Sequence, residues 1–142
     1  MCGIVGFTGE HQAAPILLDG LSKLEYRGYD SAGIAVRDGS EEVTVIKAKG
    51  KLEVLKKMTN DGEAVSGCCG IGHTRWATHG EPSTLNAHPH SSDDNNVVAV
   101  HNGIIENYQE LREKLTKSGY TFNSQTDTEV AVQLIDYIML NH

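Results

Sequence analysis

The chain has 142 residues, 39% hydrophobic and 22% charged, with a formal net charge of -7. That composition fits one soluble globular domain with a core of its own and, with no basic cluster, argues against a nucleic-acid partner. No apolar run approaches the roughly 18–20 residues of a membrane span.

The segment from Gly3 to Gly9 reads as a first strand. Pro15 suits the first turn of a helix, and Leu17, Leu21 and Leu24 recur at i, i+4 and i+7 as its apolar stripe. Tyr26 to Asp30 is a polar, glycine-containing connection. Ala32–Val36 and Val43–Ala48 are β-rich runs joined at Asp38-Gly39, a hairpin signal. Gly50 precedes a short helix bearing Leu52, Leu55 and Met58, and Asn60-Asp61-Gly62 turns the chain again. A strand through Gly70-Ile71-Gly72-His73 feeds a long polar segment, Thr74 to His90, of a kind more often functional than idle. The continuous apolar run Val97–Val100 predicts a strand buried on both faces. Tyr108, Leu111 and Leu115 mark a helix ended by Gly119. Thr126-x-x-Glu129 is a capping-box pattern for a last helix with Val130, Leu134 and Ile138 on one face.

Three cysteines, Cys2, Cys68 and Cys69, are odd in number with two adjacent. That is a poor disulfide framework, and with no basic-flanked signal peptide after Met1 it points to a reducing, cytoplasmic setting. Cys2 has a particular chemistry if Met1 is removed. The residue then carries both a thiol and a free α-amine, with ordinary pKa values of about 8.5 and about 7.7–8.0. The amine can take the thiol proton, directly or through a water, so nucleophile and base share one residue. The plainer reading is a small buried cysteine at the start of an edge strand.

Three polar motifs follow apolar strands: Thr74 to Gly80, His101-Asn102-Gly103 and Thr126-Asp127. A thiolate attacking a carboxamide needs donors for the oxyanion, which the Asn102 side chain and the Gly103 N–H could supply. An amino-acid substrate needs its carboxylate paired, and Arg75 offers a bidentate fork. Its ammonium needs a carboxylate, which Asp127 could provide. Each has a plainer alternative: Arg75 a surface ion pair, Asn102-Gly103 a turn, Asp127 a helix cap.

Several stretches carry a resemblance across nearly the whole chain. They are Cys2-Gly3-Ile4-Val5-Gly6, LEYRGYDSAG (Leu24 to Gly33), GHTRWATHGEP (Gly72 to Pro82), NAHPH (Asn86 to His90), HNGIIENY (His101 to Tyr108) and TDTEV (Thr126 to Val130). In order and form they resemble the glutaminase domains of the glutamine–fructose-6-phosphate aminotransferases, also called glucosamine-6-phosphate synthases. The resemblance implies an α+β fold of the N-terminal nucleophile hydrolase type, a four-layer αββα sandwich. Residues 1–142 would be the N-terminal part of a type 2 glutamine amidotransferase domain, incomplete on its C-terminal side and without the isomerase domain. It implies Cys2 as nucleophile, Asn102 and Gly103 as the oxyanion hole, Arg75 on the glutamine α-carboxylate and Asp127 on its α-ammonium. Trp76, Thr78 and His79 would lie in a loop closing over glutamine, and Arg27 would support the Cys2 strand.

The ammonia released would serve to convert fructose 6-phosphate to glucosamine 6-phosphate, with fructose 6-phosphate met only through the isomerase domain. No cofactor, metal, nucleic acid or membrane is expected, and a homo-oligomer is. Two other readings stand beside this one. The first is a non-catalytic module that binds glutamine or a partner chain. The second is a metal site from Cys68-Cys69 with His88-x-His90, whose spacing departs from the usual zinc patterns. His73, His79, His88, His90 and His101 read as hydrogen-bonding residues that fix loops.

Overall fold

The computed structural model describes residues 2–27, 29–39, 42–77 and 80–142, and for Arg27 the backbone alone. Four strands, β1 (Gly3–Thr8), β2 (Ser31–Arg37), β3 (Val43–Lys49) and β4 (Cys69–Arg75), form an antiparallel sheet in the order β1-β4-β2-β3. Two helices, α1 (Ala13–Lys23) and α2 (Leu52–Met58), cover one face. Strand side chains alternate between faces, so Ala32, Ile34, Val36 and Ala48 point the same way and meet Leu17, Leu21, Leu52 and Leu55 in one buried cluster. Each such leucine, fully buried, contributes about 1.5–3 kcal/mol of transfer free energy. Pro15 occupies the first turn of α1, where its missing N–H has no helical partner to lose. The α2 stripe is shorter than its leucine and methionine spacing predicts, since Met58 is exposed. The chain reverses through Asn60, Asp61 and Gly62, all at positive φ, and this turns Thr59 inward in place of Met58, its hydroxyl donating to the Leu55 carbonyl.

The other face of the sheet is covered by a second layer. Strands β5 (His90–Ser91) and β6 (Val98–Ala99) pair antiparallel; α4 (Asp127–Asn141) packs behind them, and α3 (Tyr108–Lys117) packs against α4. The order of layers is helices, four-stranded sheet, two-stranded ribbon, helices: the αββα plan, with a second sheet of two strands among the described residues. The apolar run Val97–Val100 was expected to be buried on both faces and is only half-buried. Among the described residues its two-residue strand pairs only with β5, in a ribbon too narrow for the neighbouring layers to cover both of its faces. α3 ends as expected, with Gly119 at positive φ; the Gly119 N–H donates to the Thr116 carbonyl and the Tyr120 N–H to the Leu115 carbonyl, a Schellman closure.

α4 departs from its sequence pattern in two ways. Its buried side includes Glu129, Val130, Val132, Gln133 and Asp136, while Ile138 is 47% exposed. The helix packs against α3 and β5 and against the polar segment 121–124 with Asp93, whose polar groups need partners. Gln133 donates to Asp93 and Thr121, and Tyr120 donates to Asp136. The capping box is also not formed. Thr126 is the N-cap, but Glu129 accepts from the Asn123 and Ser124 N–H groups, and the Thr126 hydroxyl is engaged by Ser124 and His90. Among the described residues no helix is long and apolar enough to cross a membrane.

The two layers meet most closely at Gly33. A Cβ there would sit 2.0 Å from the His88 carbonyl oxygen, a backbone atom that cannot swing away. Gly6 on β1 has nothing within 4 Å of its own Cβ position. Gly33→Ala is therefore expected to destabilise by about 1–3 kcal/mol or to prevent folding, as overpacking does. Gly6→Ala should be neutral or stabilising by about 0.5–1 kcal/mol, because glycine is costly inside a strand. Urea unfolding of the two variants checks this, and equal midpoints would refute the close approach.

Candidate active site

The register of β1 against β4 pairs Gly3 with Thr74. One step further, Cys2 lies beside Arg75, on the sheet face that looks toward the second layer. The Trp76 backbone N–H donates to the Cys2 sulfur at 3.2 Å, and the thiol lies 3.5 Å from the Trp76 carbonyl oxygen. Asn102, just after β6, reaches across to the same place. Its Nδ2 donates to the Cys2 carbonyl at 3.1 Å, while its Oδ1 lies 2.8 Å from Nε2 of His73 on β4. Gly103 follows, exposed, with the His101 ring against it: a Cβ on Gly103 would lie 2.9 Å from His101 Nε2.

Arg75 is 3% exposed. Burial pulls its pKa down, opposed by the charges of Asp30, then the Cys2 sulfur, then Asp127. Its Nη1 donates to the Glu81 carbonyl at 3.3 Å. Asp30 is locked beside it: its own N–H donates to the Arg75 carbonyl at 2.8 Å, and its Oδ2 accepts from the Ala77 N–H at 2.6 Å. Asp127 is the first residue of α4, where a helix favours negative charge. Its Oδ2 accepts from the Ile105 N–H at 2.8 Å, which ties the helix to the segment that carries Asn102 and Gly103. A second clasp joins the loop after Arg75 to the same helix start. Asn86 donates to the Glu81 carbonyl and accepts from the Gln125 N–H at 2.8 Å.

Behind Asn102 stands a column of buried imidazoles. The His73 and His88 rings stack with centroids 4.1 Å apart and planes 19° from parallel, and His88 meets His90 edge-on at 4.7 Å. His90 Nε2 lies 2.9 Å from the Thr126 hydroxyl. Burial pushes the pKa of His73 down to about 4 and that of His90 to about 3, and lowers that of His88 as well. Positive charge nearby works the same way, Arg75 on all three and Lys47 on His88 and His90. The column is therefore neutral at physiological pH.

The structure thus brings together Cys2, Trp76, Asn102 and, through its charge, Arg75, with Asp127 held one segment away by Ile105. The Trp76 side chain is half-exposed. Thr78, His79 and the Arg27 side chain lie outside the described residues. Cys69, at the far end of β4 opposite Thr8, is remote from the histidine column, and Gln12 contacts the Cys68 sulfur. Among the described residues no three His, Cys, Asp or Glu side chains converge as a metal site requires. The sequence reading passed over Asp30, whose signal is a carboxylate at the mouth of a strand, and Asn86, an asparagine ahead of a His-Pro pair.

A thiol at the head of the first strand, met across a two-layer sandwich by an asparagine amide, defines an N-terminal nucleophile amidotransferase fold. The chain superimposes on the Bacillus subtilis glutamine phosphoribosylpyrophosphate amidotransferase complexed with ADP and GMP, with a TM-score of 0.79 and 31% identity, over 96% of this chain and 29% of that one. It matches a structure described as the allosteric regulatory enzyme of purine biosynthesis with a TM-score of 0.76 and 34% identity, over 96% and 29%. The sequence profile of the glutamine amidotransferase domain family matches residues 40–138, and the chain belongs to that family. Among curated relatives, the glutamine–fructose-6-phosphate aminotransferase (isomerizing) of Clostridium acetobutylicum is 59% identical over 138 residues, 96% of this chain and 22% of its own length. The protein of the same name from Bacteroides thetaiotaomicron is 54% identical over 142 residues, 100% of this chain and 23% of its own length. The chain therefore spans about a fifth of the relatives it matches.

The imidazole column carries a prediction for stability. An unfolded histidine titrates near 6.5, well above the folded values, so the unfolded state binds more protons between those limits. The column's contribution is complete above about pH 6.5 and is lost as pH falls toward about 4 for His73 and about 3 for His90, at up to about 1.4 kcal/mol per pH unit for each imidazole. Thermal unfolding should show Tm dropping through that window, with a shallower drop in His90→Gln. A flat Tm from pH 7 to 4.5 would mean that the column is not buried and neutral.

Proposed function

We propose that residues 1–142 are the N-terminal part of a glutaminase domain in which Cys2 attacks the side-chain amide of glutamine. The observation that carries this is the meeting of the Cys2 sulfur with the Trp76 N–H and of the Cys2 carbonyl with the Asn102 amide. With Met1 removed, the Cys2 α-amine takes the thiol proton and the thiolate adds to the amide carbon. An amide nitrogen carries two hydrogens; the Cys2 carbonyl takes one from Asn102, and the other, with the Gly103 N–H, meets the developing oxyanion. The amine returns its proton to the leaving nitrogen, ammonia departs, and water releases glutamate from the thioester. Arg75 takes the α-carboxylate and Asp127 the α-ammonium. Trp76, Thr78 and His79 close over the substrate and keep water from it, and Arg27 supports the Cys2 strand. This chemistry calls for no cofactor.

The names of the matched relatives support the onward step, in which the ammonia converts fructose 6-phosphate to glucosamine 6-phosphate on an isomerase domain. A homo-oligomer and a cytoplasmic setting belong to the same reading; light scattering of the purified protein and microscopy of a tagged one check them. A second reading, a glutamine-binding or partner-binding module without turnover, draws on Met1, which blocks the amine wherever it is retained.

Mass spectrometry of the purified protein should show loss of Met1, and a glutamine-like electrophile should alkylate Cys2 ahead of Cys68 and Cys69, with excess glutamine protecting it. Retained Met1 with equal labelling of all three thiols favours the binding module. Two substitutions separate the roles assigned at the site. Asp127→Asn should lower kcat/KM for glutamine by roughly 30-fold, about 2 kcal/mol, chiefly by weakening substrate binding. Asn102→Ala should instead lower kcat, since its donor acts once the oxyanion forms. If Asp127→Asn melts earlier yet hydrolyses glutamine normally while folded, Asp127 serves only the helix start and Ile105.

A further inference from the structure

A carboxamide such as that of Asn102 can sit in two orientations half a turn apart, and only one turns its NH2 toward Cys2. In the other, a carbonyl oxygen would face the Cys2 carbonyl and the oxyanion, two acceptors that would repel it. Something must choose between them. The bond from Asn102 to the Cys2 carbonyl is exposed, and water can replace it. The contact to His73 is different: the imidazole is fully buried and its Nε2 lies 2.8 Å from Asn102 Oδ1. We propose that His73 is a positioning residue for amide hydrolysis, its Nε2–H donating to Asn102 Oδ1 so that the NH2 of the amide is held toward Cys2. The inference rests on the glutaminase reading for its catalytic consequence.

Two observations fix which nitrogen of His73 carries the hydrogen. With Nδ2 of Asn102 committed to the Cys2 carbonyl, Oδ1 is the atom that meets the ring, so the ring must donate. Nδ1 of His73 is buried without a hydrogen bond of normal geometry, the His101 backbone being the other group that bears on the ring. A lone pair left there is tolerable, whereas an N–H there would be an orphaned buried donor, which proteins rarely keep. A flipped Asn102 amide would require that second tautomer. The ring plane is held as well, by the His88 ring stacked on one face at 4.1 Å. His73 itself is carried by β4, whose register with β1 also places Cys2. One strand thus sets both the nucleophile's neighbour and the group that orients the oxyanion donor.

The test uses the full chain with Met1 removed. Glutamine places its amide nitrogen near the Nε2 position of a histidine, while asparagine places it near Nδ1. His73→Leu should lower kcat for glutamine hydrolysis by roughly 10-fold or more, part of the effect of losing an oxyanion donor, with KM changed less than about 2-fold. Alkylation of Cys2 by iodoacetamide should keep its wild-type rate. His73→Gln should restore kcat to within roughly 3-fold of wild type, and His73→Asn should not. A merely structural role predicts that KM, alkylation and Tm shift together in every variant, and that result would overturn the proposal, as would a folded His73→Leu with wild-type kcat. Should His73→Leu not fold, the Gln and Asn pair carries the comparison. Nitrogen-15 NMR gives a readout that needs no turnover. The proposal expects His73 as the Nε2–H tautomer and an Asn102 NH2 contact to Cys2 that is lost in His73→Asn; an Nδ1–H tautomer refutes it. If wild type hydrolyses no glutamine, the glutaminase reading fails, while the tautomer still decides the positioning.

Discussion

The antiparallel pairing of β1 with β4 is the constraint on which the site depends. It is six rungs long, from Gly3 opposite Thr74 to Thr8 opposite Cys69. Because side chains alternate, a slip of one residue would carry Cys2 to the helix-covered face and turn Val5 and Phe7 away from it. What prevents the slip is apolar packing. Val5 and Phe7 join the cluster under α1, and Val5 lies so close to Gly20 that any larger residue there would strike it. The thiol is thus placed by hydrophobic contacts on the opposite side of the sheet. The same register turns His73 and Arg75 toward the second layer, so the fold and the site are settled by one set of bonds.

The two faces of this sheet are chemically unlike. The outer face is valine, isoleucine, alanine and Phe7, under the leucines of α1 and α2. The inner face meets His73, His88, His90, Asn86 and Thr126, all buried. A polar layer of this kind costs desolvation and returns it only when its groups satisfy one another, so it tolerates few alternative arrangements. Gly33 adds a steric condition, because the His88 carbonyl fits only where β2 has no side chain. A purely apolar interface could slide. This one is keyed by a backbone oxygen, a stacked ring pair and hydrogen bonds of fixed direction.

Periodicity made the outer half of the fold legible. The sequence reading placed β1, β2, β3, α1 and α2 within a residue or two of their observed limits, because one face of each is buried against an apolar partner. It did less well where the partner is polar or missing. Val97–Val100 looks like a strand buried on both faces, yet it is half-buried, and among the described residues β6 pairs only with β5 in a narrow ribbon. α4's valine, leucine and isoleucine spacing predicts an apolar stripe, but facing the polar segment around 121–124 and Asp93 it buries Glu129, Gln133 and Asp136 as well. At the site, residue types and motifs were visible while the connections between them were not. The bonds from Asn102 to His73, from Asn102 to Cys2 and from Asp127 to Ile105 join positions 29, 100 and 22 residues apart, which no local pattern reports.

Asp127 shows how such connections bear on function. The sequence offers two readings for it, a helix start or a partner for a substrate ammonium; the structure shows the helix start, and the second is the proposal made above. Its carboxylate stands at the positive end of α4, accepts the Ile105 N–H and lies within electrostatic reach of Arg75. A carboxylate held by a backbone N–H and a helix terminus is fixed in place without a lysine or arginine, as the proposed contact to a substrate ammonium requires. Arg75 is braced in the same way, by the Glu81 carbonyl and by the charge of Asp30. Opposite charges fixed by backbone groups require little rearrangement on binding, and that preorganisation suits the zwitterion site proposed above.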